Sequence, residues 1–315
     1  LRILAALLLD AIFGDPRRLP HPVVFVGRLI SFCEKIFYTR GNNAKEKGFL
    51  FCAAVTLATA AALFVILGAA GLISPWLRSA LEIYLIYAAI AFKSLKDESL
   101  PVARALASGE LERARRQLGR IVGRDTERLD EAGVVRACVE TIAESYVDGV
   151  VSVLFWASVG AFFGQAALFA WIFKASNTMD SMVGYDDERY RDFGYAAAKF
   201  DDAMNFLPAR LGAAAAIVGG AIAGMDYRRA WRIFLRDRLE HKSPNSAHSE
   251  SVFAGLLGIR LGGGAYYGGE WEARPFLGDD LRSPEPNDIL RAQHILNLSV
   301  AVCAFATLAL ARWGA

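Results

Sequence analysis

Residues 48–73 read GFLFCAAVTLATAAALFVILGAAGLI and contain no charged side chain. About twenty such residues cross a bilayer's hydrocarbon core as a helix. Two further runs have the same character. Residues 149–173, GVVSVLFWASVGAFFGQAALFAWIF, carry no charge, and residues 292–311 carry none apart from His294. A soluble core has no need of three uncharged stretches this long, so the pattern predicts an all-α, polytopic integral membrane protein. Weaker segments fill the gaps. Residues 1–13 are apolar except for Arg2 and Asp10, and residues 76–92 are apolar beyond Arg78 and Glu82. Residues 211–225, LGAAAAIVGGAIAGM, are rich in the small residues that let membrane helices approach closely. The count is five or six membrane helices. The Gly160/Gly164 pair allows the second long run to break into a re-entrant hairpin, a backbone tolerated at membrane depth only where protein or water satisfies it.

The bulk composition agrees. The 315 residues are 54% hydrophobic and 22% charged with a net charge of +2, and the mean hydropathy is +0.29. No basic stripe marks a nucleic-acid partner. Cys33, Cys52, Cys138 and Cys303 are scattered without a CxxC pair, which predicts neither a disulfide framework nor a zinc site. His21, His241, His248 and His294 have no zinc spacing, and neither a GxxxxGK[ST] loop nor a GxSxG elbow occurs. No stretch near Leu1 has the small-residue cleavage site of a secretory signal.

We read residues 1–315 as one membrane-embedded catalytic unit. A charged helical excursion is expected at about 93–131 and a polar segment at about 226–291. Two amphipathic stretches, 23–37 and DYRRAWRIFLRDRLE at 226–240, have the pattern of interfacial helices. No strand pattern stands out. Arg17, Arg18, Arg28, Lys35, Arg40, Lys45 and Lys47 precede the first long run, and the positive-inside bias assigns them to the cytoplasmic face of the cell membrane.

The chemistry gathers at the edges of the apolar runs. In ETIAESYVDG (140–149), Glu140, Glu144 and Asp148 stand four apart, with Arg136 four residues ahead. Each four-residue helical step drifts about 40°, so the three acids form a narrow seam. Val134, Val135, Ala137, Cys138, Val139, Ile142 and Ala143 surround it. An acid facing lipid at depth costs roughly 3 kcal/mol on insertion scales. The seam therefore faces a cavity, a cation or Arg136, either as a salt-bridge ladder or as a hydrated pocket for a hard cation such as Mg²⁺. Three more clusters abut apolar runs. GRDTERLDE (123–131) offers Arg124, Asp125 and Asp130, and KASNTMDSMVGY (174–185) offers Lys174, Asn177, Thr178, Asp180 and Ser181. KFDDAMNFLPAR (199–210) offers Asp201, Asp202, Asn205 and Arg210. In HKSPNSAHSESVFAG (241–255), Pro244 precedes a helix start whose amides can take phosphate near Asn245.

Taken in order, these motifs, together with GDPRRLPHPVVFVGRLI (14–30) and SPNSAHSESVFAGLLGIRLGG (243–263), resemble the CbiB or CobD family of cobalamin-biosynthesis membrane proteins, the adenosylcobinamide-phosphate synthases. The AmpE-like membrane proteins match the set less fully. The resemblance implies an acid–amine ligase. Adenosylcobyric acid and aminopropanol phosphate or ethanolamine phosphate would join as an amide, with ATP and Mg²⁺ consumed and adenosylcobinamide phosphate released. It implies a corrinoid substrate, an amino-alcohol phosphate and neighbouring corrinoid-pathway membrane enzymes as partners.

On that reading Glu140, Glu144, Asp148 and Asp180 hold Mg²⁺ or act as base. Asp201, Asp202 and Asn205 hold or orient a metal. Arg124, Arg136, Lys174, Asn177, Arg210 and Asn245 bind phosphates or substrate. His21 is read as part of a proline-flanked turn. The chain departs from the family pattern at Ser145, where asparagine is usual, and at Val153. It departs again across Ser246-Ala247-His248-Ser249, which replaces a stretch containing tryptophan and proline. Two other readings use the same residues. A membrane prenyltransferase would bind Mg-diphosphate through its acids, and a transporter or sensor would have an acidic cavity.

Overall fold

The computed structural model describes residues 1–15, 21–41 and 43–313. Arg17 and Arg18 of the positive cluster lie outside them. The protein is almost entirely helical, and two compact units divide the chain.

The first unit takes residues Leu1–Ala91 and Ser152–Asn205, with the end of the last helix from Ala306. It contains α1 (Arg2–Phe13), α2 (Pro22–Phe37), α3 (Ala44–Ile73), α4 (Pro75–Ala89), α8 (Ser152–Phe162), α9 (Ala166–Val183) and the start of α10 (Tyr195–Ile222). Local chemistry sets the starts of α2 and α4. His21 Nδ1 accepts from the Val23 amide at 3.2 Å ahead of Pro22, and Ser74 Oγ accepts from the Trp76 amide at 3.2 Å ahead of Pro75. In both, the cap satisfies an orphan amide and proline fills a position that needs no donor. α3 shows the membrane character most directly. It buries Phe51, Val55, Leu63 and Leu67 and leaves Leu57, Phe64, Val65, Leu72 and Ile73 exposed. A helix apolar all round, with its outer side uncovered by protein, belongs in lipid.

The second unit takes Phe92–Val151 and Phe206–Phe305. It contains α5 (Phe92–Ala107), α6 (Leu111–Leu118), α7 (Glu131–Tyr146), the rest of α10, α11 (Tyr227–Asp237), α12 (Ser246–Leu257) and most of α13 (Asn287–Trp313). The small residues predicted to permit close packing do so. A Cβ on Gly219 would meet the Ser299 amide of α13 at 2.9 Å, and one on Gly220 would meet Leu256 of α12 at 2.3 Å.

Three expectations change. Among the described residues four helices, rather than five or six, have the length and composition to span: Ala44–Ile73, Glu131–Phe162, Tyr195–Ile222 and Asn287–Leu310. α1 and α4, with 12 and 15 residues, reach only about 18 and 22 Å at 1.5 Å per residue. Next, the run 149–173 is not one span. α7 and α8 join through a π-helical turn, Val147–Val151, into the helix Glu131–Phe162. The chain then reverses at Gly164 (φ 66°), and α9 packs back on α8. The hairpin expected from Gly160/Gly164 is present as a helical hairpin. Finally, four short strands occur within 261–277. β1 (Leu261–Gly262) pairs antiparallel with β4 (Phe276–Leu277), and β2 (Ala265–Tyr267) pairs with β3 (Glu270–Glu272). Strands of two or three residues are too short to display an alternating pattern. Gly268 and Gly269, both at positive φ, form the two-residue hairpin turn that such residues favour.

The hairpin generates a prediction. A Cβ on Gly160 would stand 2.6 Å from the Gln165 carbonyl oxygen and 2.8 Å from Phe169 Cβ. Gly160→Ala should destabilise the detergent-solubilised protein by about 1–3 kcal/mol, the range for overpacking. Gly68→Ala, on α3 with nothing within 4 Å, should be neutral or stabilising by up to about 1 kcal/mol. Thermal unfolding of the two variants side by side measures the difference.

Candidate functional site

The second unit assembles a charged centre around Glu140. Asp130 caps α7 by accepting from the Gly133 amide at 2.7 Å, which sets where the helix begins and so where Glu140 falls. Just upstream, the Asp125 amide donates to the Tyr266 carbonyl at 2.7 Å. The Asp125 carboxylate accepts from the Gly268 and Gly269 amides at 3.1 and 2.7 Å. Asp125 thereby clamps the β2–β3 turn and fixes its neighbour Arg124. The Arg124 guanidinium reaches Glu140 Oε2 at 2.7 Å, and Glu140 Oε1 accepts from the Gly262 amide at 2.6 Å. Glu140 is buried and Arg124 is mostly covered. A buried carboxylate requires such partners, because leaving one unpaired in a low-dielectric interior costs several kcal/mol. Burial works to lower the Arg124 pKa, but Glu140, then Tyr267, raise it more, and the guanidinium stays charged.

Five further groups join this pair. Glu144, one turn along α7, is exposed to solvent yet enclosed by the fold, the position of an acid lining an open recess. Arg274, Arg124 and Glu140 are its charged neighbours. Glu250, buried on α12, faces the same groups. Burial first, then Glu144 and Glu140, hold its carboxyl well above the usual range. His241 Nδ1 lies 3.0 Å from Ser246 Oγ and 3.7 Å from Glu250 Oε1. Burial, then Arg274, lower its pKa, so the imidazole is neutral. Arg274 also lies over the Tyr267 ring at 5.2 Å, and burial raises the Tyr267 phenol. The set holds three carboxyls and two arginines, so one proton on Glu250 makes it neutral.

A cationic group sits at the start of α12. Arg210 Nη1 donates to the Phe206 carbonyl at 2.5 Å and lies 3.4 Å from Asn245 Oδ1, beside the free amides of the helix terminus. Arg210 and Arg238 both act on His248, which burial, then these two cations, hold at about 4. The His248 ring meets Phe234 edge-on at 5.6 Å.

The first unit gathers the remaining predicted residues. Ser152 Oγ donates to Asn205 Oδ1 at 2.6 Å, and Asn205 Nδ2 donates to Asp201 Oδ2 at 3.0 Å. Asn177 Nδ2 lies 3.5 Å from Asp201 Oδ1, Lys199 Nζ donates to Asp202 at 2.8 Å, and Asp180 acts electrostatically on Lys199. Lys174 lies on α9, where its carbonyl accepts from Thr178 at 2.6 Å.

The structure thus brings Glu140, Glu144 and Arg124 together in one unit and Asn177, Asp180, Asp201, Asp202 and Asn205 in the other. Asp148 sits in the π turn, beyond the α-helical register that carries Glu140 and Glu144. Glu140 pairs with Arg124 rather than with Arg136, whose Nε is buried without a hydrogen-bond partner among the described residues. Among the described residues, no three His, Cys, Asp or Glu side chains are grouped to enclose a metal ion. Glu250, His241, Tyr267 and Arg274 are the members that sequence reading passed over. Only Glu250 had a signal, as a lone acid in the otherwise uncharged stretch 243–259.

The fold and site define a helical membrane protein that keeps an arginine–carboxylate pair on one of its spanning helices and a cationic group at a nearby helix start. The chain belongs to the CobD/CbiB family: the family profile described as CobD/Cbib protein matches residues 3–296. Named relatives agree. The cobalamin biosynthesis protein CobD of Clostridium perfringens is 41% identical, covering 95% of this chain and 93% of its own length. That of Pelobacter propionicus is 43% identical, covering 98% and 94%. The cobalamin biosynthesis protein CbiB of Salmonella typhimurium is 40% identical, covering 98% and 96%. No solved structure matches the chain.

Two predictions test the centre. Arg124→Met should cost about 3–5 kcal/mol because it strands the Glu140 charge. The double change with Glu140→Gln should recover part of that loss in a double-mutant cycle of thermal unfolding. Glu250 holds its proton more tightly folded than unfolded, so its contribution is complete below its ordinary value of 4.5 and is lost as pH rises through the raised folded value. Glu250→Gln should flatten the fall in melting temperature as pH rises from about 4.5 toward the raised folded value, measured against the unaltered protein.

Proposed function

We propose that this membrane protein acts in cobalamin biosynthesis, in the cell membrane, as the ligase that joins the propionate carboxyl of adenosylcobyric acid to aminopropanol phosphate or ethanolamine phosphate. ATP and Mg²⁺ are the co-reactants and adenosylcobinamide phosphate the product. Family membership supports the pathway. The observation that carries the step is the solvent-open Glu144 beside buried Glu250, with Arg124 and Arg274 as their cations.

Amide formation needs three services. The amine arrives as an ammonium and must lose a proton. The Glu144/Glu250 pair is built to take it, since two close acids share one proton and the other stays ionised. The carboxyl partner needs cationic neighbours to hold it, and Arg274 and Arg124 supply them. The phosphate needs fixed donors, which Arg210, Asn245 and the first amides of α12 provide.

Mg²⁺ is commonly held by one or two carboxylates together with substrate phosphates. Glu144, the ionised acid at the open recess, fits that requirement, and Glu250 could join it only after releasing its proton. Glu140 does not, because both of its oxygens are engaged by Arg124 and Gly262. When bound, the ion would offset phosphate charge. The polar group of Asp180, Asp201, Asp202 and Asn205, with Lys174 and Asn177, is the second candidate for nucleotide or metal, and Asp148 and Arg136 flank the first.

The test is reconstitution of the purified chain in lipid nanodiscs with adenosylcobyric acid, aminopropanol phosphate, ATP and Mg²⁺, with product read by mass spectrometry. Glu144→Gln should lower kcat at least about 100-fold, the scale of a lost acid–base group. Arg210→Gln should raise KM for the amino-alcohol phosphate about tenfold, the loss of one charge-assisted contact. Undiminished turnover by the Glu144 variant, or turnover of an isoprenyl diphosphate without corrinoid, would overturn the reading.

A further inference from the structure

Two helices of the second unit have strongly amphipathic sequences, α6 and α11, and the structure treats them differently. α6 buries its apolar side chains, Ala114 and Leu118, and shows solvent only polar ones at Glu112, Arg113 and Arg116. α11 also buries a face. Ala230, Ile233 and Asp237 turn inward against α12, where a Cβ on Gly255 would stand 2.5 Å from Ala230 Cα. Yet α11 keeps a second apolar stripe that the fold does not cover: Tyr227, Trp231, Leu235 and, just past the helix, Leu239, all exposed. They recur every fourth residue on one line. Beside the stripe runs a row of arginines at the same spacing, Arg228, Arg232 and Arg236, also exposed. The acids that balance these arginines lie toward the fold. Asp237 is buried and binds Arg236, and Asp279 takes Arg232 at 3.2 Å and Arg236 at 2.7 Å. Arg228 contacts Tyr227 and points outward. The outer surface of α11 is therefore apolar along one line and cationic along the next.

Its position supplies the occupant. The spanning part of α10 ends at Ile222, itself exposed, and the chain turns at Gly224 (φ 71°) before α11 starts at Tyr227. A helix that begins so soon after a span leaves the hydrocarbon lies at headgroup level. We infer that α11 is seated on an anionic bilayer surface, with Tyr227, Trp231 and Leu235 reaching the outer acyl region and Arg228 and Arg232 on acidic phospholipid headgroups. An apolar stripe flanked by arginines suits that interface, with the apolar side entering about 5–10 Å below the headgroups. The uncovered aromatic rings are otherwise a liability at a water-facing surface.

The experiment uses the full chain in nanodiscs of phosphatidylcholine mixed with phosphatidylglycerol, with chains brominated on one lipid at a time. The part of tryptophan emission lost on Trp231→Phe isolates Trp231. That part should be quenched by both brominated lipids, and more by the brominated phosphatidylglycerol. The preference should be several-fold, since each arginine near an acidic leaflet gives about fivefold local enrichment. Arg228→Gln with Arg232→Gln should bring the preference to near unity while quenching by phosphatidylcholine persists. No quenching by either lipid, or equal quenching by both in the unaltered protein, would overturn the inference. So would efficient self-crosslinking of Leu235→Cys through a short bifunctional maleimide, which would mean that a second copy covers the stripe.

Discussion

The buried carboxylate of Glu140 organises the second unit. A charge on a span, among Val139, Ala143 and other buried apolar residues, is stable only if fixed donors replace the water it has lost. Two donors do so, the Arg124 guanidinium from one side and the Gly262 amide from the other. Each is delivered by a segment with no regular structure of its own strong enough to place it. Arg124 is held because Asp125 ties its backbone and carboxylate to the β2–β3 hairpin, and Gly262 is held by the β1–β4 ladder. One ionic contact thus joins the segment ahead of α7, the helix itself and the glycine-rich strands. Glu144 and Arg274 take their positions on those same elements, and Glu250 reaches the centre from α12.

Membrane residence and polar chemistry make opposite demands on the same helices. Spans must be apolar outward, as α3 is, and must touch one another through small residues, as α10 does against α13 at Gly219. A reacting centre needs charges that stay charged. The chain reconciles the two by placing its acids near the ends of spans and beside breaks in helical regularity. Glu140 and Glu144 precede the π turn at Val147–Val151. Such turns are rare and recur at functional positions, because the extra residue re-aims the side chains that follow. The reversal at Gly164 likewise allows α8 and α9 to form a pair where a single run of apolar residues suggested one crossing.

The neutral balance of the centre bears on the proposed reaction. Three carboxyls against two arginines leave one proton to be shared, and burial assigns it to Glu250. A pair of acids with one proton between them keeps one carboxylate free to accept a proton, and accepting it takes the pair from a charge of −1 to neutral. His241, kept neutral next to Glu250, adds a polar contact without adding charge. The cationic group at Arg210, Arg238 and Asn245 is a separate constellation at the start of α12, as a phosphate-bearing co-substrate requires.

The membrane class, the family and the placement of Glu140 and Glu144 one turn apart on a single helix were legible in the linear chain. Long uncharged runs have no soluble use, and acids four residues apart share a helix face whatever surrounds them. Local capping was legible for the same reason, since Asp130 and Ser74 act on amides two or three residues away. What only the tertiary structure decided was partnership. Nothing in the sequence says that Glu140 takes Arg124 rather than Arg136, that Glu250 and Arg274 join Glu144, or that α11 leaves a second apolar stripe uncovered. Those outcomes depend on which segments meet across a hundred or so residues of chain, as with Gly262 and Glu140 at a separation of 122. Local periodicity carries no record of such meetings. They are settled by the requirement that every buried charge find a partner and every apolar face a cover.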